Sequence, residues 1–466
     1  MSFLRKTLRV ILWTIGLIIA VPIVLYLVVL AINLRDQPPS TEALALAAAQ
    51  PDAADIADSD NAYVFLLGFG SPRDGDPAVI GAARAAWLRK IRNDESLPRD
   101  PDPYPQDAPD VAELFTSLQE LWKPCDDHRD AGCFEALEGS HDKLDGTVAG
   151  AAWLVDRYRR LLTHRAWADV TSNDIPSTHV GYSPASNAHM LYLLHAWSLA
   201  AAGDGAGVRD ALDTDLELWR LGLRSSDSLL GKMIAARYVS VSLDWGNLIL
   251  RRLPASARVD AVPPSWRQPL SDDERSLARA FRGEWNYRQH LLRNMKLHGN
   301  LFTTLQPQRT VGERFDTFLA KQLLQPQDSA NRDAALLFHV DALLDVPYAE
   351  MPAALVQVRD VVKQPSQSVI DATYNVVGNS ILASVGAEYA DYGARVADLE
   401  GMRRAALLAA ELRARAVPVD SVAAAVALDS ARNPYTGEAF EWIEARSAIG
   451  FTGLRREYRG RSEFLY

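Results

Sequence analysis

The longest apolar run lies close to the start of the chain. Val10–Ile32 contains 23 residues and no charged side chain. A helix of this length would extend about 34 Å, whereas the hydrocarbon core of a bilayer is about 30 Å thick. Trp13 and Tyr26 lie towards its two ends, where aromatic rings favour the membrane interface. The pattern predicts a transmembrane helix over residues 10–32, in which Pro22 is tolerated.

The charges around this run predict its orientation. Arg5, Lys6 and Arg9 precede it, while Arg35 follows it beside an aspartate. Because cytoplasmic flanks carry the excess of Lys and Arg, we expect the N-terminus in the cytoplasm and the rest of the chain outside the inner membrane. A cleaved signal peptide is the alternative, but such peptides carry only about 7–15 apolar residues, so we favour an uncleaved signal anchor. The Ala- and Arg-rich composition is typical of a high-GC bacterium, which places the body in the periplasm.

The segment after the apolar run contains little that can be buried. Residues 33–60 are rich in Pro, Ala and Asp, which predicts a tether with a short helix over Thr41–Ala49. Asn61–Phe69 is the first strongly apolar segment after it. Nine residues do not distinguish a short helix capped at Asp60 or Asn61 from a buried strand, so both interpretations stay open.

Most of the remaining sequence has a helical pattern. Beyond Asp110, apolar residues recur at intervals of three and four, and clusters of Gly, Pro or Asp separate the segments. Without an alternation of strands and helices, this pattern predicts an all-α body. Five prolines over residues 93–109 predict a surface loop. The predicted helices are 78–91, 110–122, 140–164, 184–202, 205–223, 226–252, 272–297, 311–324, 329–345, 366–384, 386–416 and 418–428.

One pair of helices has a recognisable pattern. In Asn187–Leu223 an Ala-rich helix and a second amphipathic helix flank the sequence Gly203-Asp204-Gly205. The pair resembles a tetratricopeptide-type hairpin, although its neighbours do not repeat at a period of about 34 residues. We therefore predict helical hairpins and not a regular repeat array.

The character of the chain changes at Asn433. The sequence NPYTGEAF contains two turn signals, and short β-prone runs follow at residues 442–443 and 449–451. A small β-hairpin is expected, and the Arg-rich stretch after it is expected to be a solvated terminus. The turn resembles the ending of many exported, membrane-anchored bacterial proteins. In that ending Asn or Asp is followed by Pro, then by Tyr or Phe, then by Thr or Ser, and then by Gly. An aromatic residue follows three positions after the Gly. No activity accompanies this ending. The aromatic residues expected to dock onto the helices are Tyr435, Phe440 and Trp442.

These observations together predict a five-part organisation. It consists of a cytoplasmic N-terminus (1–9), a transmembrane helix (10–32), a tether (33–60), a helical periplasmic domain (61–432) and a C-terminal turn with a β-hairpin (433–466).

Charge and motifs exclude several classes of function. The chain has 49 Lys and Arg against 59 Asp and Glu, a net charge of -10, which argues against nucleic-acid binding. It contains no phosphate-binding loop and no G-x-G-x-x-G, so we expect no nucleotide partner and no cofactor. It also lacks the G-x-S-x-G and H-E-x-x-H motifs of hydrolases and zinc proteases.

The two cysteines allow three interpretations. Cys125 and Cys133 lie in a loop rich in Pro, Asp and Gly, and an oxidising compartment favours a disulfide between them. Free thiols are the second interpretation. A zinc site with His128 and His141 is the third, although the spacing matches no standard zinc finger, and no metal site is expected elsewhere.

Candidate chemistry concentrates in one predicted helix. Glu284 beside an aromatic ring is a candidate general acid, and His290 is a second catalytic candidate. Trp285, Tyr287 and Arg288 are candidate binding residues. The alternative is an amphipathic helix whose aromatic edge is packed in the interior.

Two functions are consistent with this sequence. The first is a membrane-anchored scaffold or assembly protein that contacts the inner membrane through residues 10–32 and binds another envelope protein. The second is a periplasmic hydrolase of an envelope polymer, which needs a second carboxylate besides Glu284. A small-molecule or lipid-binding domain would require a closed apolar cavity.

Overall fold

The computed structural model is mostly helical, with one apolar N-terminal helix and a small C-terminal sheet, as predicted. It describes residues 2–48, 56–93, 122–125, 130–170, 181–298, 321–363, 373–384, 386, 388–455 and 461–466. Residues 94–109 of the predicted loop, most of the predicted helices 110–122 and 311–324, and His128 lie outside these ranges.

The structure places eighteen α-helices in the described residues. The first nine are α1 (Ser2–Ile32), α2 (Thr41–Ala48), α3 (Ala62–Leu67), α4 (Pro77–Asn93), α5 (Ala131–Gly139), α6 (His141–Gly150), α7 (Ala152–Leu162), α8 (Tyr182–Ala201) and α9 (Gly205–Ser225). They are followed by α10 (Leu229–Arg252), α11 (Pro264–Arg267), α12 (Asp272–Arg275), α13 (Ala278–His298), α14 (Pro326–Leu344), α15 (Met351–Val362), α16 (Val376–Ser384), α17 (Tyr389–Ala414) and α18 (Val419–Leu428).

Helix α1 contains the predicted membrane-spanning segment. Ile11–Ile32, 22 residues, is long and apolar enough to cross a membrane, and none of it is buried. Pro22 lies inside the helix.

Helices α5 and α15 lie outside the predicted ones, and one short segment is now assigned. Helix α5 replaces part of the expected loop around the cysteines because Asp130 caps it, accepting a hydrogen bond from the backbone of Cys133 at 3.1 Å. Helix α15 lies in a stretch with no predicted helix, and Pro352 is tolerated in its first turn. Residues 62–67 form a helix, capped by Asn61, and not a strand.

The chain divides into two compact units. Unit 1 comprises Met1–Ala49, Trp285–His339 and Arg359–Glu388, and unit 2 comprises Gln50–Glu284, Val340–Val358 and Tyr389–Tyr466. Because both units combine distant parts of the sequence, composition along the chain does not reveal them.

In unit 1, the residue that follows α1 is held by hydrogen bonds. The Asn33 side chain donates to the carbonyl of Thr373 at 2.7 Å and accepts from the backbone N–H of Asn375 at 2.8 Å. The Gln325 amide donates to the Asn33 carbonyl at 2.6 Å. The predicted tether therefore does not start as a loose segment, since partners about 340 residues away fix its first residue.

In unit 2, long helices surround an aromatic core. Trp197, Trp219 and Trp245, from α8, α9 and α10, are fully buried. The predicted break between α8 and α9 is present, and Gly203 adopts a φ of 77°, a conformation that favours glycine. Helices α8 and α9 form the hairpin whose sequence resembles a tetratricopeptide unit.

The C-terminal residues form a three-stranded antiparallel sheet. Strands β1 (Glu441–Ile443), β2 (Ala448–Thr452) and β3 (Arg461–Leu465) pair in the order β1-β2-β3. The predicted hairpin is present as β1 and β2. The expectation of a solvated terminus is corrected, because β3 adds a third strand whose Phe464 and Leu465 are buried. Apolar alternation in so short a terminal segment was too weak to predict it.

The NPYTG turn docks through one tyrosine. The Tyr435 hydroxyl donates to the buried Asp398 carboxylate of α17 at 2.8 Å. Phe440 instead contacts Phe451 of the sheet, with ring centroids 6.3 Å apart, and Trp442 contacts Tyr466 at 6.0 Å. Of these three aromatic residues, Tyr435 is the one with a hydrogen bond to a helix.

Cys125 and Cys133 form a disulfide with an S–S distance of 2.06 Å. Both residues are buried. Of the three interpretations of the cysteines, the structure therefore has the disulfide, and not free thiols or zinc ligands.

Replacing both Cys125 and Cys133 by serine is expected to lower the free energy of unfolding by about 2–3 kcal/mol, because the closed loop restricts the unfolded chain. Urea unfolding of protein purified without reductant measures this loss. Reduction of the wild-type protein should reproduce it. Two thiols that alkylate in the unreduced protein would contradict the prediction.

Candidate functional site

The candidate binding residues Trp285 and Arg288 lie in the interior of unit 1. Trp285 is 2% exposed, and its indole N–H donates to the carbonyl of Ala330 at 2.8 Å. Arg288 forms a two-pronged ion pair with the buried Asp333, with both N–O distances 2.9 Å. These contacts favour the packed-edge interpretation of helix α13 over a ligand-binding one.

The catalytic candidates Glu284 and His290 are half-buried on the same helix. Six residues in an α-helix correspond to a rotation of about 120° between their side chains, so the two lie on different faces. The helix therefore does not bring them together. Tyr287, also half-buried, is a further candidate whose role stays a prediction.

A Ser, a His and an Asp meet in the core of unit 2. The Asp215 carboxylate interacts with His189 Nε2 at 3.0 Å and accepts hydrogen bonds from Ser242 at 2.5 Å and Tyr158 at 2.6 Å. In an acyl-transfer triad the histidine lies between serine and aspartate, whereas here the aspartate is central. All four side chains are buried, so the network holds helices α7 to α10 together and is no candidate for hydrolysis.

A cleft of about 430 Å³ in unit 2 has a charged floor. Arg220 donates to both oxygens of Glu274, at 2.7 and 2.8 Å, and to the carbonyls of Gln268 and Pro269. Burial favours the protonated form of Glu274. The hydrogen bonds from Arg220 and the backbone of Ser271 outweigh it and hold the Glu274 pKa below its usual value. Glu274 therefore stays a carboxylate neutralised by Arg220.

The rim of this cleft carries more loosely held charges. The Arg224 guanidinium is 43% exposed and lies 3.8 Å from Glu274, which Arg220 already neutralises. Arg165 lies 3.8 Å from the exposed Glu217, and exposed pairs of this kind stabilise by only about 0–1 kcal/mol. Three arginines therefore face two glutamates in the lining, which favours an anionic ligand.

A buried hydroxyl in the cleft wall has an unmet hydrogen-bonding requirement. Ser265 lines the cleft, and its Oγ is buried with no hydrogen-bond partner within the described part of the chain. Leaving a buried hydroxyl unpaired costs about 1–3 kcal/mol. The unpaired hydroxyl therefore lies inside the wall of the cleft, below its accessible surface.

None of these cleft residues was a candidate from the sequence. The one local signal is the Ser271 to Glu274 capping box at the start of α12, which predicts a helix start and no site. Arg220 and Glu274 are 54 residues apart in the sequence, so no local pattern predicts their contact.

The described ranges contain no group of three or more His, Cys, Asp or Glu residues that could hold a metal ion. No protein-family model, curated protein or solved structure matches this chain.

Proposed function

We propose that this chain is a single-pass inner-membrane protein whose helical body lies in the periplasm and binds another envelope component. The observation that carries the proposal is helix α1, in whose Ile11–Ile32 segment no residue is buried. So large an apolar surface requires a lipid environment or a partner to cover it. The basic residues before the segment favour a cytoplasmic N-terminus.

The cleft in unit 2 is the proposed binding surface, and its ligand is a carboxylate-bearing segment of a partner protein. Arginine guanidinium groups pair with carboxylates through two parallel hydrogen bonds. Arg224 supplies a partly exposed side chain at the rim, in a lining that contains three arginines and two glutamates. Scaffold or assembly roles in the envelope need such a surface on an anchored body.

Replacing Arg224 by glutamate is expected to reduce capture of the partner about tenfold, because it places a repelling charge at the rim. The full-length wild-type and variant proteins are cross-linked in isolated membranes and then purified. The yield of the cross-linked adduct of the same apparent mass is compared between them. Arg209→Glu is the matched control, since Arg209 is partly exposed on the same helix and outside the cleft.

Equal yields from the wild type and Arg224→Glu would contradict the assignment of this cleft. Loss of the protein from the membrane fraction after a carbonate wash would contradict the anchor itself. Turnover of a cell-wall or lipid substrate by the purified body would favour the alternative, a periplasmic hydrolase acting on an envelope polymer. Glu274 does not support that alternative, because an acid catalyst needs a raised pKa and Arg220 lowers that of Glu274.

A further inference from the structure

A second cavity, of about 660 Å³, lies in unit 1 where the chain leaves helix α1. Its wall combines apolar and polar side chains from separate segments of the sequence. The lining includes Leu30, Leu34, Asp36, Lys296, Gln322 and Gln325.

The position of this cavity coincides with the end of the apolar helix. Leu30 belongs to the last turn of α1, and Leu34 follows the helix with 79% of its surface exposed. Leu297, next to Lys296 in the sequence, is 67% exposed. Given the proposed anchor, which this inference requires, these leucines lie at the boundary between hydrocarbon and headgroups.

The Lys296 ammonium is held in the cavity wall. Its Nζ donates to the carbonyls of Lys321 at 2.8 Å and Leu324 at 2.6 Å, which uses two of its three protons. Burial lowers the pKa of Lys296; Asp36 opposes this change and Lys321 adds to it. An anion at the third proton would relieve the cost of burying this charge.

Asp36 supplies a negative charge to the same cavity. Its carboxylate accepts hydrogen bonds from the backbone N–H groups of Gln327 at 2.8 Å and Asp328 at 2.9 Å, at the start of α14. Asp36 acts electrostatically on Lys296, yet the two form no ion pair in the part of the chain that the structure describes. The cavity therefore offers one fixed cation and one fixed anion beside an apolar wall.

We propose that this cavity binds the headgroup of a phospholipid that carries a primary amine beside its phosphate. The phosphate accepts the third proton of Lys296, and the ammonium group faces the Asp36 carboxylate and the side-chain amides of Gln322 and Gln325. The start of the acyl chains lies against Leu30 and Leu34. Two opposite charges in one cavity favour such a zwitterion over a lipid that carries only the phosphate charge. A primary ammonium also has protons to donate to the Asp36 carboxylate, whereas the quaternary ammonium of choline has none.

Native mass spectrometry of the full-length protein, released from nanodiscs, tests the proposal. Nanodiscs contain phosphatidylethanolamine, phosphatidylglycerol or phosphatidylcholine, and soluble phosphoethanolamine is added in a separate arm. We expect the wild type to retain one phosphatidylethanolamine about tenfold more often than either other lipid. Soluble phosphoethanolamine should not replace it, because it lacks the acyl chains.

Two pairs of variants test the residues. Leu34→Asp is expected to reduce retention about tenfold, and Leu44→Asp, an exposed leucine outside the cavity, should leave it unchanged. Lys296→Met is expected to have the same effect as Leu34→Asp, whereas Lys363→Met, an exposed lysine of the same unit, should have none. Because Leu34 is exposed, its variant reports on lipid binding even if Lys296→Met destabilises unit 1.

Equal retention by the wild type, Leu34→Asp and Leu44→Asp would overturn the proposal. A preference for phosphatidylglycerol or phosphatidylcholine would also overturn it, since the role of Asp36 depends on the amine. A wild-type protein that remains in the membrane fraction but retains no lipid rejects this site alone. A protein that leaves the membrane fraction rejects the anchor.

Discussion

Replacing Arg288 by alanine is expected to lower the free energy of unfolding of unit 1 by about 3–5 kcal/mol. Arg288 and Asp333 are both buried and joined by two hydrogen bonds of 2.9 Å. Without the guanidinium, the Asp333 carboxylate would remain buried, where its desolvation is no longer compensated. Burial already raises the pKa of Asp333, and Arg288 opposes that change.

Hydrogen exchange with peptide-level readout measures this effect, since it reports separately on helices α13 and α14. The double variant Arg288→Met and Asp333→Leu is the control, because it removes both charges and keeps apolar volume. We expect it to recover most of the lost protection.

The result also decides between the two interpretations of helix α13. A stable Arg288→Ala protein that loses partner capture would restore the ligand-binding role predicted from the sequence. Loss of protection around Trp285, with capture unchanged in the fraction that remains folded, would show that the aromatic edge is part of the core.

Local signals explain why the fold class was predictable. The apolar run of α1 needs only composition and length to be identified as a candidate membrane span. Asn61 is one of the two N-cap candidates for the short segment that the structure shows as α3, and the break between α8 and α9 follows from Gly203 and its neighbours. Each of these features depends on residues that are contiguous in the sequence.

The polar clusters depend on contacts between distant parts of the sequence. Arg220 and Glu274 are separated by 54 residues, Arg288 and Asp333 by 45, and Asn33 and Asn375 by 342. A single sequence has no periodic pattern that records such pairs. For the same reason the candidate cleft was not predicted, and a buried arginine in α13 resembled a ligand-binding residue.

Raising the pH from 7 to 10 is expected to stabilise unit 2 through Lys232. This lysine is 2% exposed, and its ammonium donates to the carbonyls of Leu223 at 2.7 Å and Asp273 at 3.3 Å. Burial lowers its pKa to about 7, although Glu274 and Asp273 oppose the change and Arg279 adds to it. In the unfolded chain a lysine has a pKa of about 10.4.

The sign of the effect follows from proton binding. Between pH 7 and 10 the unfolded chain keeps a proton on Lys232 that the folded protein has released, so stability rises with pH. The limiting slope for one group is about 1.4 kcal/mol per pH unit. Below pH 7 both states carry the proton, and Lys232 contributes no slope.

Urea unfolding of the wild type and Lys232→Met at several pH values isolates this contribution, because the other titrating groups are common to both proteins. The difference in stability between them should change by about 3–4 kcal/mol from pH 7 to 10, in the direction that favours the wild type at high pH. Lys143→Met, at an exposed lysine of the same unit, should show no such change. A constant difference between the wild type and Lys232→Met would mean that the lysine remains protonated when folded. In that case its hydrogen bonds to the two carbonyls would compensate fully for burial of the charge.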